Sequence, residues 1–546
     1  MLQVKNLCIS FGQGHEDIPA VKNISFDIPR GKITALIGES GSGKSVTALS
    51  LMRLLPARAI VKGELLFNED GSGAEDILKL SPENIRRLRG NKIAMIFQEP
   101  MTSLNPVHTC GAQVMESLIL HKKMSRAQAR METISLFKKV ELPEPEKMFR
   151  RYPHQISGGQ KQRVMIAMAM SCEPLLLIAD EPTTALDVRV QKSILELIKK
   201  LQQETGMSVL LITHDLALVA DTADEINVMY HGEIVEEGDA RIVLTAPRHA
   251  YTKALLASRP NAADKEDSAV STPHNDPEAS QNIVLDVQQL RVSFPVKKNF
   301  FGAIVSSFNA VDDVSFTVKE NETVGLVGES GCGKTTLGRA ILQLIKPDSG
   351  KVILNGKNLS QCSAAELRMI RKELQVVFQD PYGSLNPRLS IGEAIIEPMM
   401  VHYPGQSKAQ RRERAVHLLE QVSMNGDMLG RYPHQFSGGQ RQRICIARAL
   451  ALDPRFIIFD ESVSALDLSV QAQILNLISD LKSSYSFSSV FISHDLSVIH
   501  YISDRVMVMR AGRIIETGTA AEIFSSPKEN YTMELLAAVP GKNLVL

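Results

Sequence analysis

Residues 38–45, "GESGSGKS", and residues 328–335, "GESGCGKT", share the spacing Gly-x-x-x-x-Gly-Lys-Ser/Thr. That spacing suits the grip of a nucleoside triphosphate. Gly38, Glu39, Ser40, Gly41, Ser42 and Gly43 form one loop, and Gly328, Glu329, Ser330, Gly331, Cys332 and Gly333 the other. Their glycines let backbone N–H groups turn toward phosphate oxygens, and a helix starting directly afterwards adds roughly half a positive charge. Lys44 and Lys334 are expected at the β and γ phosphates, and Ser45 and Thr335 at Mg2+.

Downstream, two apolar runs end in acidic pairs, Asp180-Glu181 and Asp460-Glu461. The first acid of each pair suits Mg2+, held directly or through water. The second points the other way and is placed to orient or deprotonate an attacking water, an effect typically of about 10²–10⁴ in rate. His214 and His494 each follow another apolar run, 33 residues beyond their glutamates, and the doubled placement favours contact with the γ phosphate.

A second anion-directed feature is "SGGQ": Ser157, Gly158, Gly159 and Gln160, repeated as Ser437, Gly438, Gly439 and Gln440. A serine hydroxyl and glycine N–H groups opening a helix present donors and a positive dipole. One site hardly needs two such grips on a single terminal phosphate. The pair makes sense if each half offers its "SGGQ" to a nucleotide held by the other.

The elements that position these groups come in two copies. "RYPHQISGGQKQRVMIAMAM" from Arg151 returns as "RYPHQFSGGQRQRICIARAL" from Arg431, and "AYTKALL" from Ala250 as "NYTMELL" from Asn530. Ser157, Glu181, His214 and Tyr251 all recur 280 residues later, whereas Lys44 and Lys334 lie 290 apart. Nearly all of the net length change therefore falls before Gln98 and Gln379, which lie 281 apart. "ITALIG" and "TVGLVG" read as buried strands leading into the phosphate loops, with helices from Lys44 and Lys334; "LLLIAD" and "FIIFD" read as further buried strands. Alternating strands and helices predict an α/β core with ligands at the strand ends.

Each core carries a helical insertion, at about residues 100–172 and 380–452. Ser125 with Gln128, and Ser407 with Gln410, have capping-box spacing, and positions 127, 131, 134, 137 and 140 predict a helical apolar stripe. The domain reading is 1–260 and 284–546. Residues 261–283 join them; this polar, proline-containing segment is expected to be a flexible linker, too poor in apolar groups to offset ordering.

With 61 basic and 61 acidic residues, the chain lacks the basic excess of a protein built to grip nucleic acid. No run approaches the roughly 18–20 apolar residues needed to span a bilayer, and no secretory signal opens the sequence. The six cysteines, at 8, 110, 172, 332, 362 and 445, form no Cys-x-x-Cys pair, which fits a reducing cytoplasm.

The order phosphate loop, Gln98 or Gln379, "SGGQ", acidic strand end, "ALD" and histidine resembles the ATPase subunits of ABC transporters, over nearly all of both halves. "FQEPMTSLNP" from Phe97 and "FQDPYGSLNP" from Phe378 narrow the resemblance to the dipeptide/oligopeptide importer branch, in its fused two-ATPase form. The resemblance implies tandem P-loop NTPase domains of ABC type that close head to tail over two ATP molecules with Mg2+. One site would combine the first phosphate loop, Gln98, Asp180, Glu181 and His214 with Ser437 to Gln440. The other would combine the second loop, Gln379, Asp460, Glu461 and His494 with Ser157 to Gln160.

By the same resemblance, Gln98 and Gln379 would join Mg2+ and the attacking water to the helical insertion. Asp187 and Asp467 would link the two sites, and Phe11 and Phe294 would stack on adenine. Two transmembrane permease subunits, an external solute-binding protein and a peripheral place on the cytoplasmic face of the inner membrane are also implied. Many relatives in this branch carry a cysteine-rich C-terminal extension with an iron–sulfur cluster. Such cysteines do not follow Tyr251 or Tyr531, so no cluster is expected.

Departures are Ile156 and Phe436 in place of Leu before "SGGQ", Ser462 in place of Pro after Glu461, and Cys332 in the second loop, where alkylation is expected to be selective. Two other classes share these motifs: a soluble twin ATPase acting on ribosomes or DNA, and an exporter ATPase. The short Asp- and Pro-rich segment between the halves and the lack of cysteine pairs count against the first. The paired "SLNP" segments count against the second.

Overall fold

In the strand Leu176–Asp180, Leu177 and Ala179 pack toward one side while Leu176 and Ile178 pack toward the other. This period of two, with both faces covered, is the pattern of a strand inside a parallel sheet. A computed structural model describes residues 1–13, 16–69, 73–98, 103–183, 186–257, 282–298, 304–464 and 466–538. The expected linker, apart from its last two residues, lies outside them, as do residues 99–102 of the first "FQEPMTSLNP" and Thr184, Ala185 and Ala465 of the "ALD" segments. The chain divides into two units whose described parts run from 1 to 257 and from 282 to 538.

In the first unit, six strands lie side by side in the order Glu233–Asp239, Glu225–Tyr230, Ile33–Ile37, Ser208–Thr213, Leu176–Asp180 and Ile93–Ile96. All are parallel except the edge strand Glu233–Asp239. The strand leading into the phosphate loop is thus central. Next to it runs the strand that ends near His214, and beyond that the strand that ends at Asp180, so their C-terminal ends open at one place.

One face of this sheet is covered by a four-stranded antiparallel sheet, Glu16–Ile28, Leu2–Gln13, Ala59–Phe67 and Glu75–Asp76. Leu2, Val4, Leu7, Ile24 and Leu65 meet Leu36, Ile178, Leu210 and Ile212 there. This second sheet extends the α/β expectation. Register shifts at Val4/Leu7 and Leu7/Ile9 break its apolar alternation.

The other face carries the helical layer: Cys110–Lys122, Arg126–Lys139, Pro145–Arg150 and Gly158–Met170. Both ends of the capping box at Ser125 and Gln128 form. The predicted stripe, however, is rotated. Met131 is 74% exposed and Ala127 is exposed, whereas Ala129, Thr133, Leu136, Phe137 and Val140 are buried. Thr133 joins the buried face because its hydroxyl donates to the Ala129 carbonyl at 2.7 Å, removing the cost of an unpaired polar group.

The second unit repeats the plan. Its six-stranded sheet runs Leu374–Val377, Phe456–Asp460, Ser488–Ile492, Thr323–Val327, Arg505–Arg510 and Arg513–Thr519. The antiparallel sheet is built from Ile304–Lys319, Ile283–Lys298, Ser349–Leu354 and Lys357–Asn358. Helices Ile391–His402, Lys408–Gln421 and Gly438–Leu450 form its helical layer, and the capping box at Ser407 and Gln410 also forms.

Candidate active site

The phosphate loops follow strands whose five residues are all buried, Ile33–Ile37 and Thr323–Val327. Helices Lys44–Leu51 and Lys334–Ile341 begin at Gly43 and Gly333, with φ of 105° and 112° and no side-chain cap. A Cβ at these glycines would lie 2.7 Å from the Ala20 carbonyl and 2.0 Å from that of Ala310, so backbone shape and space both require glycine. At Gly41 and Gly331 a Cβ would meet nothing within 4 Å. An open concavity at an uncapped helix N-terminus fits a phosphate group.

Lys44 Nζ donates to the carbonyls of Gly38 and Glu39 at 2.7 and 2.8 Å; Lys334 Nζ does the same to Gly328 and Glu329 at 2.8 and 2.9 Å. Each buried ammonium is held by its own loop. Ser45 Oγ donates to Asp180 Oδ1 at 3.2 Å, and Thr335 Oγ1 to Asp460 Oδ1 at 3.1 Å. Burial pushes the Asp180 carboxyl up to about 6 and raises that of Asp460. A hydroxyl beside a buried carboxylate is a hard oxygen set that fits Mg2+.

Glu181 and Glu461 adopt left-handed backbone, φ 46° and 48°. Their amides donate to Ile212 and Ile492 carbonyls on the neighbouring strands at 2.9 Å, which holds the strained turns. Gln98 Nε2 donates to Glu181 Oε2 at 2.7 Å, and His214 Nδ1 lies 3.3 Å from the other oxygen. In the second unit Gln379 Nε2 donates to Glu461 Oε2 at 2.7 Å, with His494 Nδ1 3.7 Å away. Burial works against charge on both partners there. The mutual contact outweighs it, raising the His494 pKa and, with Lys334, lowering that of Glu461.

Three expected site groups lie apart from this cluster. Ser157 and Ser437 cap their own helices, each hydroxyl accepting at 3.3 Å from the amide of Gln160 or Gln440, with the return bond completing a capping box. No hydrogen bond among the described residues joins them to the phosphate loop of the same unit. Asp187 also caps its own helix, accepting from Val190 N at 3.0 Å. Phe11 and Phe294 sit on the first strand of each antiparallel sheet. Phe11 packs partly against the core; Phe294 is 42% exposed and pairs in register with Phe308.

Ile156 and Phe436 are buried as apolar replacements. Cys332 is buried too, its thiol pushed up by burial and packed close to Gly328, an environment that lowers the reactivity of a thiol. One pair of residues escaped the sequence reading. Tyr251 Oη accepts from Glu39 N at 3.0 Å, and Tyr531 Oη from Glu329 N at 3.2 Å. Their recurrence 280 residues apart was the available signal.

Residues 21–184 and 311–464 match the family described as ABC transporter. Residues 235–283 match "Oligopeptide/dipeptide transporter, C-terminal region". The glutathione import ATP-binding protein GsiA of Escherichia coli K12 is 47% identical, over 99% of this chain and 89% of its own. Its namesake in Salmonella choleraesuis shows the same identity and coverage. Among solved structures, a dimeric post-hydrolysis state of the ATP-binding cassette MJ0796 with ADP and Pi is 28% identical over 43% of this chain and 98% of its own, with a TM-score of 0.40. Both halves match and the likeness to relatives runs end to end: this chain belongs to the ABC transporter family and carries its P-loop domain twice.

Proposed function

We propose that the chain is the ATP-hydrolysing subunit of an importer for glutathione or short peptides. The observation that carries this reading is the contact of Gln98, Glu181 and His214 beside Lys44 and Asp180, repeated by Gln379, Glu461 and His494. Lys44 exchanges its loop carbonyls for oxygens of the β and γ phosphates. Ser45, Asp180 and Gln98 would hold Mg2+, which would offset charge on the phosphates. Glu181 takes a proton from the attacking water, Gln98 fixes its carboxylate, and His214 faces the γ phosphate.

Ser157 to Gln160 and Ser437 to Gln440 serve as further phosphate-binding groups. The importer class is favoured by end-to-end likeness to proteins named for glutathione import and by the oligopeptide/dipeptide region at 235–283. Two transmembrane permease subunits then carry the solute, a solute-binding protein delivers it outside, and this chain sits on the cytoplasmic face. No helix among the described residues is long and apolar enough to cross a membrane itself. The test is to purify the tagged chain with its membrane subunits and assay ATPase activity in proteoliposomes. Glutathione or di- and tripeptides with a binding protein are expected to stimulate turnover; ATP turnover with no permease recovered would overturn the importer reading.

A further inference from the structure

The phosphate loop is fastened at Glu39 from both sides of one residue. Its carbonyl accepts from Lys44 Nζ at 2.8 Å, and its amide donates to Tyr251 Oη at 3.0 Å. The second unit repeats this at Glu329, with Lys334 at 2.9 Å and Tyr531 at 3.2 Å. The tyrosines come from 212 and 202 residues away in sequence, so this is not a local turn.

The tyrosines are themselves held. Tyr251 lies on the helix Ala250–Ala257, and the chain entering that helix is clamped by the edge strand Glu233–Asp239. Glu236 accepts from the amides of Arg248 at 2.7 Å and His249 at 3.1 Å. Glu516 does the same for Lys528 at 2.7 Å and Glu529 at 3.2 Å, ahead of the helix Asn530–Ala537. The Tyr251 ring stacks on Tyr230 with centroids 4.1 Å apart, while the Arg510 guanidinium covers Tyr531 at 4.7 Å. Two different ring supports deliver one hydroxyl to one amide.

We infer that Tyr251 and Tyr531 are positioning residues for ATP binding: each hydroxyl holds its phosphate loop in shape while the loop lysine leaves the Glu39 or Glu329 carbonyl for the nucleotide. This gives the C-terminal part of each unit a role at the nucleotide site, and it rests on the ATP-site reading above. A loop losing its lysine bonds without this brace leaves an amide unpaired and its glycines freer, and ordering them again weakens binding.

The test uses the full chain with Tyr251→Phe and Tyr531→Phe, which keep both rings and remove one oxygen. A fluorescent ATP analogue reports binding, steady-state assays separate KM from kcat, and hydrogen exchange reports the loop amides. Each variant is expected to bind ATP about two- to tenfold more weakly at its own site, the range of one hydrogen bond. KM rises, kcat and the thermal midpoint stay near wild type, and peptides spanning residue 39 or 329 exchange faster. In a Lys44→Ala background, Tyr251→Phe adds nothing while Tyr531→Phe still weakens the remaining site. Wild-type affinity and exchange in both variants, or a lower thermal midpoint with unchanged KM, would overturn the inference. Failure of the wild-type chain to bind ATP would instead sink the reading beneath it.

Discussion

Gln98 donates to Glu181 at 2.7 Å, and Gln379 donates to Glu461 at the same distance. A residue just past the strand Ile93–Ile96 or Leu374–Val377 is thereby tied to the proposed catalytic base at another strand end, twice in one chain. Glu181→Gln and Glu461→Gln keep the size of the side chain and remove its basicity. ATP binding is expected to persist while turnover falls about 10²–10⁴-fold, the typical worth of a positioned base. Nucleotide binding and phosphate release measured on the same samples check it.

A substitution at Ser437 tests the expectation from sequence that each half serves the nucleotide of the other. Ser437→Arg is expected to block nucleotide trapping at the site of Lys44 while Lys334 still labels. Photolabelling with an azido nucleotide followed by peptide mapping distinguishes the halves; loss confined to the Lys334 half means that each unit uses its own "SGGQ".

Asp180 stands buried and, without a cation, is pushed up to about 6 from an ordinary 3.8. A raised carboxyl pKa means that folding loses stability as pH climbs from the unfolded to the folded value. Asp180→Asn is therefore expected to raise the neutral-pH stability of the nucleotide-free first unit by about 1–3 kcal/mol and to abolish Mg2+-dependent turnover. Thermal melts with and without Mg2+ and ATP test both halves of that statement.

The pair His494 and Glu461 gives a pH signature. His494 is raised above 6.5, so its contribution is full below that value and is lost as pH rises through the folded pKa. Glu461 is lowered below 4.5, so its contribution is full above that value and is lost on acidification. The stability of wild type over His494→Gln is expected to peak between 4.5 and 6.5 and to shrink as pH rises further. Denaturant titrations across pH measure it.

The rotated helix face is checked by two truncations. Phe137→Ala removes a fully buried ring and is expected to cost about 3–5 kcal/mol. Met131→Ala, at a side chain 74% exposed, is expected to stay within about 0.5 kcal/mol. Urea unfolding of the first unit separates them.

The phosphate loops, the strands before them and the acidic strand ends were legible because their signals are local: glycine spacing, apolar pentads and a carboxylate at the boundary. The helix Arg126–Lys139 was legible as a helix, but the side it buries only in part: Phe137 and Val140 are buried as expected, whereas Met131 is exposed. Thr133 is polar by type, yet its hydroxyl is satisfied within the helix. The antiparallel sheets were missed because register shifts at Val4/Leu7 and at Val287/Leu290 scramble the alternation that announces such strands. Tyr251 was missed as a site residue since its partner at Glu39 is distant in sequence and is a backbone amide, which leaves no side-chain pattern to read.

Glu181 and Glu461 hold a backbone shape that asparagine or glycine adopts at lower cost. A redesign that ranked substitutions at these positions by folding free energy alone would favour those residues, and it would return a sturdier protein with no proton acceptor at either strand end. The same uncomfortable choice stands in both halves, although the surrounding sequences differ. Stability screening of this chain therefore needs a turnover assay beside it, because its most tempting thermal improvements are the ones that would silence it.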